Sequence, residues 1–179
     1  MPNEQTSVPL FTAGEVLTAA QLNGVVDNFQ DIAIFNETQA SGTTGGTFTS
    51  GSYVKRTLNT TGVNNITSCN LTSSVISLPA GTYQVFATAP AFQVTSHQTR
   101  LRNTTDSTDI QFGSTEYSSS VGVYTQSNSI LQTVFTLTAT KNIELQHRCL
   151  NTRATYGLGA EAAFGNSEIY SSITITRIA

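Results

Sequence analysis

The sequence predicts a mainly β protein, an antiparallel β-sandwich of the jelly-roll kind preceded by an extended arm and a short N-terminal α-helix. Three observations predict it. Apolar residues alternate with period two through most of the chain, turn residues interrupt those runs at short intervals, and helical spacing occurs once, near the N-terminus. Alternating strands without intervening helices favour packed antiparallel sheets over strand–helix–strand units.

The helical segment comes first. Thr18-Ala19-Ala20-Gln21 has the form of a capping box, with Leu17 and Leu22 at the two staple positions. Leu22, Val25, Val26, Phe29, Ile32 and Ala33 then recur at helical spacing, with Asn23, Asp27, Asn28, Gln30 and Asp31 turned the other way. The spacing predicts a helix over 19–35. A helix of that length is marginal alone in water, so its stripe needs a partner surface: its own domain, a self-associated bundle or another protein. Leu17, Leu22, Val25, Val26, Phe29 and Ile32 are therefore the candidate attachment and oligomerisation residues, and the polar segment 1–7 is expected to be held by a neighbour.

Residues 41–52, with Gly42, Gly45, Gly46 and Gly51, read as a Gly/Thr-rich linker. The expected organisation is an arm and helix over 1–40, this linker, and a sandwich over 53–179. Within the sandwich, the inward rows expected are Tyr83, Val85 and Ala87; Leu131, Thr133, Phe135 and Leu137; Ile143, Leu145, His147 and Cys149; and Ile169, Ser171, Ile173 and Ile175. Glu144, Gln146 and Arg148 face away. Leu78-Pro79-Ala80-Gly81 has the chemistry of a type I turn, and 103–109 reads as a polar loop.

Composition narrows the function classes. The 179 residues amount to about one domain. Apolar residues make up 38% of the chain and charged residues 11%, the latter well below the ~25% usual for soluble proteins, while Thr, Ser, Asn and Gln supply about two-fifths. Disorder is not expected, since disordered chains carry high charge. No apolar run approaches the ~20 residues of a membrane span, and 1–12 lacks the pattern of a secretion signal. A net charge of -3 and a pI near 5.2 argue against nucleic acid as a partner. Five acidic residues precede the first basic one, Lys55, which separates an acidic first third from a slightly basic remainder. Cys69 and Cys149 are expected to be free, mostly buried thiols.

Candidate chemistry is sparse. His97 and His147 both lie in alternating strands, and nothing in the spacing selects a serine triad. His147 and Cys149 share a face, but no second ligand pair accompanies them, so packing is the expected role. Asp109 with Glu116, or Glu161 with Glu168, form only generic carboxylate pairs. Phosphate-binding glycine patterns do not occur. Asn-x-Ser/Thr matches at Asn36, Asn59, Asn65, Asn70 and Asn103 are what a Thr-rich chain yields by chance. The expectation is a non-enzymatic protein with no catalytic residue, metal or cofactor. Arg100, Arg102, Arg148 and Arg153, with His97, form a cluster on two expected neighbouring strands. They either hold carboxylates of a surface glycan or pair with Glu116, Glu144 or Glu161. Tyr117, Tyr124 and Tyr156, with Gln126, are candidates for a shallow sugar or protein contact.

Several motifs carry a resemblance. Leu78-Pro-Ala-Gly-Thr-Tyr83, Ala89-Pro-Ala-Phe92, Arg100-Leu-Arg-Asn103, Gly113-Ser-Thr-Glu-Tyr117, Glu144-Leu-Gln-His-Arg-Cys149, Ala154-Thr-Tyr-Gly157 and the closing strand at 170–178 occur in order over about the last hundred residues. Together they resemble the C-terminal domain of bacteriophage tail-fibre and related virion proteins. The opening Phe11-Thr-Ala-Gly-Glu-Val-Leu-Thr-Ala-Ala-Gln-Leu-Asn23 is similar to the virion-proximal start of such proteins. The resemblance implies a jelly-roll subunit like the tumour-necrosis-factor and complement-type trimeric sandwiches, assembled in the bacterial cytoplasm into the virion. It implies a homotrimer, contacts to other virion proteins through the N-terminal segment, and a display role in host-surface binding to a glycan or protein. Because no shaft separates helix from sandwich, capsid cement or decoration of the head is the alternative.

Overall fold

The computed structural model describes Gly14, Val16, Thr18, residues 31–119 and residues 122–178. Twelve strands follow in order: β1 (Ile32–Gln39), β2 (Val54–Lys55), β3 (Thr60–Asn64), β4 (Asn70–Thr72), β5 (Val75–Leu78), β6 (Gly81–Phe92), β7 (Ser96–Asn103), β8 (Thr108–Phe112), β9 (Glu116–Tyr117), β10 (Gln126–Leu137), β11 (Lys141–Cys149) and β12 (Glu168–Arg177). They form two antiparallel sheets. The first runs β10-β6-β12-β1-β3, and the second runs β4-β5-β11-β7-β8 with β2 beside β11 and β9 beside β7.

Period-two patterning is what makes the sandwich. Tyr83, Val85 and Ala87 from β6, Leu131 from β10, Ile173 and Ile175 from β12, and Ala33 and Phe35 from β1 meet Ile76, Leu78, Leu101, Ile143 and Leu145 from the second sheet in one apolar core. Each fully buried Leu or Ile contributes roughly 1.5–3 kcal/mol relative to exposure. The turn expected at Leu78–Gly81 is the corner where the chain leaves the second sheet for the first, and the Tyr83 hydroxyl pins it by donating to the Pro79 carbonyl at 2.9 Å. Ser73 and Ser74 both have positive φ between β4 and β5, the conformation that a two-residue type I′ turn requires.

Three expectations change. Residues 32–35, read as the end of a helix, lie in β1, where Ile32 pairs with Thr176 and Phe35 with Ile173; the rest of that helical pattern falls outside the described residues, save Thr18 and Asp31. Residues 41–52 are seated on the sandwich: Phe48 is fully buried and exchanges backbone hydrogen bonds with Arg153 at 2.9 and 3.0 Å. Gly45 and Gly157 allow this approach, since a Cβ at Gly157 would lie 2.6 Å from the Phe48 Cβ and one at Gly45 would lie 2.8 Å from the Leu158 carbonyl. Ile169 points outward instead of joining the inward row, because the β1–β12 register slips between Asn36 and Thr38 and turns both Tyr170 and Ser171 inward. Such a bulge re-aims side chains.

That bulge serves a buried charge pair. Glu37, on the inward row of Ala33 and Phe35, lies 3.0 Å from the Arg56 guanidinium, and both side chains are almost wholly enclosed. Arg56 Nε donates to the Ser171 hydroxyl at 2.7 Å, and that hydroxyl donates to the Glu37 carboxylate at 2.8 Å. Arg56 also donates to the Leu158 carbonyl at 2.9 Å and more weakly to the Pro90 carbonyl at 3.4 Å. Removing one partner of such a pair leaves an uncompensated buried ion, which costs about 3–5 kcal/mol. Glu37→Ala is therefore expected to lower unfolding free energy in urea by about that amount, and Glu37→Leu combined with Arg56→Met to recover much of it. A loss below about 1 kcal/mol in the single variant would show that the pair does not hold the sandwich.

Candidate functional site

The two outer faces of the sandwich differ in chemistry. On the second sheet, β7 turns out Gln98, Arg100 and Arg102 opposite Arg148, Gln146 and Glu144 of β11. The expected neighbouring strands are thus real neighbours, but the arginine partners are not the glutamates expected. Arg100 and Arg102 both pair with Asp109 of β8, at 3.1 and 2.8 Å. Arg100 also donates twice to Gln146 and lies 3.9 Å over the Tyr53 ring. These contacts engage Arg100 through Nε and both terminal nitrogens, and Arg102 through one, within the subunit. Arg148 lies exposed on the same face, and Tyr117 projects from β9.

The outer face of the first sheet carries no charge among its described strands. One rung across four strands reads Ile34, Thr174, Phe86 and Gln132, with Ile130 and Val134 exposed beside it on β10. The charged residues in these strands, Glu37, Glu168 and Arg177, face inward or lie at strand ends.

A cleft of about 320 Å³ opens at one end of the sandwich, lined by Phe92, Tyr124, Arg153, Tyr156, Ala160 and Glu161. Phe92 ends β6, Tyr124 precedes β10, and the other four come from the 150–167 connection between β11 and β12. Backbone bonds seat that connection: Phe92 N–H donates to Gly157 O at 3.1 Å and Leu158 N–H to Gly46 O at 3.0 Å. The Gln126 side chain accepts from Ala160 N–H at 2.8 Å. The Arg153 guanidinium lies about 6 Å from both the Phe92 and Tyr156 ring centres, and its Nε and the Glu161 Oε2 are buried without a partner. No hydrogen bond joins Glu161 to Glu168, the generic carboxylate pair of the sequence. Glu168 instead accepts from the backbone N–H groups of Gly42, Ala162 and Ala163, and those bonds hold its carboxyl below its ordinary pKa.

Three of the sequence candidates, Tyr124, Arg153 and Tyr156, thus meet in one cleft. Arg100, Arg102, Arg148 and Tyr117 lie outside it. Leu17, Leu22, Val25, Val26 and Phe29 fall outside the described residues, and Ile32 is a partly exposed strand residue. Sequence reasoning missed Phe92, which looked like one more strand residue although it was quoted in a motif, and weighed Glu161 only as a generic carboxylate or an arginine partner. The chain enters at Asp31 and ends its last strand beside it, with Arg177 N–H donating to Asp31 O at 2.9 Å. That end holds Gly81, whereas the cleft holds Phe92 at the other end of the twelve-residue β6, about 37 Å away at strand rise.

His97 and His147 lie in the core between the sheets. Nδ1 of His97 and Nε2 of His147 are 2.9 Å apart, and His97 Nε2 is 2.8 Å from the Ser127 hydroxyl. Burial drives His97 down to about 4, opposed by Glu116 and aided by Arg56. Burial, Arg56 and His97 drive His147 well below its usual value. Both rings are neutral at pH 7. Cys69 and Cys149 are buried and free, as expected, and burial pushes both thiols up to about 11, which makes them poor nucleophiles.

The strand orders and crossovers define a jelly-roll sandwich of the tumour-necrosis-factor and complement type. Solved structures similar to the chain include the globular domain of zebrafish complement 1qA protein, at TM-score 0.54 and 10% identity over 83% of this chain and 98% of that one. Eiger TNF from S. frugiperda is similar at TM-score 0.54 and 13% identity over 83% and 92%, and murine APRIL at 0.50 and 8% over 81% and 98%. The chain matches no family model and no curated protein.

Because both histidines have folded-state pKa values below 6.5, the unfolded chain takes up protons first as pH falls. Stability is therefore expected to be whole above about pH 6.5 and to fall as pH drops from there toward 4. The carboxylate of Glu168, lowered in the folded state, adds its loss only below its ordinary value of 4.5. Urea midpoints between pH 7 and 4.5 check this, and a flat profile over that range would contradict it.

Proposed function

We propose that the chain is a non-enzymatic structural subunit of a bacteriophage virion, a short homotrimeric fibre that attaches by its N-terminal segment and displays its jelly roll for host-surface binding. The observation that carries this reading is the charge-free outer face of the β10-β6-β12-β1-β3 sheet. Phe86, Ile130, Val134 and Ile34, set among Thr and Gln, suit a subunit interface that buries no unpaired ion, whereas the charged face of the other sheet suits solvent. The fold shared with complement and tumour-necrosis-factor domains and the virion-protein motifs support the same arrangement. The cleft lies at the end of the sandwich away from the residue where the N-terminal segment joins it, which suits attachment at one end and display at the other.

Light scattering of the purified protein is expected to give three times the 19.1 kDa chain mass, and Phe86→Glu with Val134→Glu to give monomers with unchanged far-ultraviolet circular dichroism. A wild-type monomer would overturn the trimer. On intact particles, gold-tagged antibody against the sandwich is expected on the tail or its fibres. Label spread over the head would overturn host attachment in favour of capsid cement.

A further inference from the structure

We infer that the cleft formed by Phe92, Tyr124, Tyr156, Arg153 and Glu161 binds a single neutral pyranose, the terminal sugar of a host-surface glycan. This rests on the reading of the cleft as the displayed recognition site and adds the chemistry of its ligand.

Unsatisfied polar groups come first in the argument. Buried polar atoms in a folded protein are almost always hydrogen-bonded. Among the described residues five buried side-chain atoms have no partner: Gln93 Oε1, Thr125 Oγ1, His147 Nδ1, Arg153 Nε and Glu161 Oε2. Two of these belong to residues lining the cleft, and Gln93 and Thr125 directly follow the lining residues Phe92 and Tyr124. Leaving such a group unmet costs about 1–3 kcal/mol, so the unmet Arg153 and Glu161 side chains on the cleft lining mark a place that a ligand can complete.

The kinds of group then select the ligand. Arg153 Nε is a donor and seeks an acceptor, while Glu161 Oε2 as a carboxylate seeks a donor. A hydroxyl does both, and a ring bearing several hydroxyls satisfies the two at once. An anionic ligand would gain from Arg153 but meet Glu161, and a cationic one would meet Arg153; the pair line the cleft without lying in an ion pair with each other. The lining charges cancel, so a neutral ligand is the one that leaves neither charge opposed. Three aromatic rings supply the remaining wall, with Phe92 to Tyr124 and Phe92 to Tyr156 centroid distances of 6.0 and 6.2 Å. Their faces carry negative charge density that attracts the slightly positive C–H face of a sugar ring. The volume of about 320 Å³ is at the small end of the ~300–1,000 Å³ range of ligand clefts, which favours one terminal ring over a chain.

Saturation-transfer NMR tests this on the full-length protein, with methyl α-D-glucopyranoside, methyl α-D-mannopyranoside and methyl β-D-galactopyranoside as probes and glucuronate and glucosamine as charged comparators. At least one neutral glycoside is expected to receive saturation, and the charged sugars to compete more weakly. Glu161→Gln keeps shape while weakening the acceptor, and is expected to reduce affinity about tenfold. Tyr156→Ala is expected to abolish transfer to the ring protons. Glu161→Gln also guards against misfolding, since it alters no backbone contact. No transfer to any neutral glycoside at tens of millimolar, or preferential binding of glucuronate or glucosamine, would overturn the proposal. Trimer mass and particle labelling do not depend on sugar binding, so a virion-displayed trimer that ignores all three glycosides fails here alone.

Discussion

The buried contact between Glu37 and Arg56 ties both sheets and the 150–167 connection together through one set of hydrogen bonds, beside the apolar packing of the two core clusters. Glu37 belongs to β1 and Ser171 to β12, both in the first sheet. Arg56 follows β2 at the edge of the second, and its other donors reach the Leu158 and Pro90 carbonyls. Placing two ions between sheets is costly, and burial accordingly lowers the pKa of Arg56 while Glu37 opposes the shift. The arrangement is tolerable because nearly every donor of the guanidinium is directed at an oxygen. The bulge in β12 is the geometric consequence, since it turns Ser171 inward to share that carboxylate.

From this point the functional end of the molecule is built outward. Leu158 sits in the connection that supplies Arg153, Tyr156, Ala160 and Glu161 to the cleft, so one guanidinium ties the cleft wall to the core. A second small apolar cluster of Phe48, Ala91, Val94 and Cys149, with Val54 and Leu158 against it, fills the space beneath. The cleft is thus supported from below by packing and from within by one charge-assisted bond. The interface proposed along the first sheet is independent of it, because the rung through Phe86 faces away from the buried pair.

Much of the sandwich was legible in the sequence because period-two alternation is a local signal: the rows through Val85, Leu131, Leu145 and Ile173 are all inward. The failures have physical causes. Ile32 and Ala33 continue the spacing of Val25, Val26 and Phe29, yet Ala33, Phe35 and Glu37 also alternate, and a short apolar run satisfies both periods. Reading the strand would have placed Glu37 on a buried row and signalled a buried cation partner. The glycines of 41–52 looked like flexibility, whereas Gly45 permits close approach to another segment far along the chain, which no local pattern reveals. For the cleft, Tyr124, Arg153 and Tyr156 stood out by residue type. Phe92 did not, because aromatics at strand ends are ordinary, and Glu161 drew notice only as a generic carboxylate near Glu168 or as a partner for the arginines.

The account depends most on Arg56 anchoring the cleft wall to the core, and amide hydrogen exchange on Arg56→Lys tests that directly. Lysine keeps the charge for Glu37 but cannot reach the Ser171 and Leu158 oxygens together. The expected result is a selective loss of protection at the amides of Gly45, Phe92 and Leu158, whose hydrogen bonds seat the connection, with the central amides of β6, β11 and β12 little changed. Unchanged protection at those three amides, or an equal loss across the whole sandwich, would contradict the account.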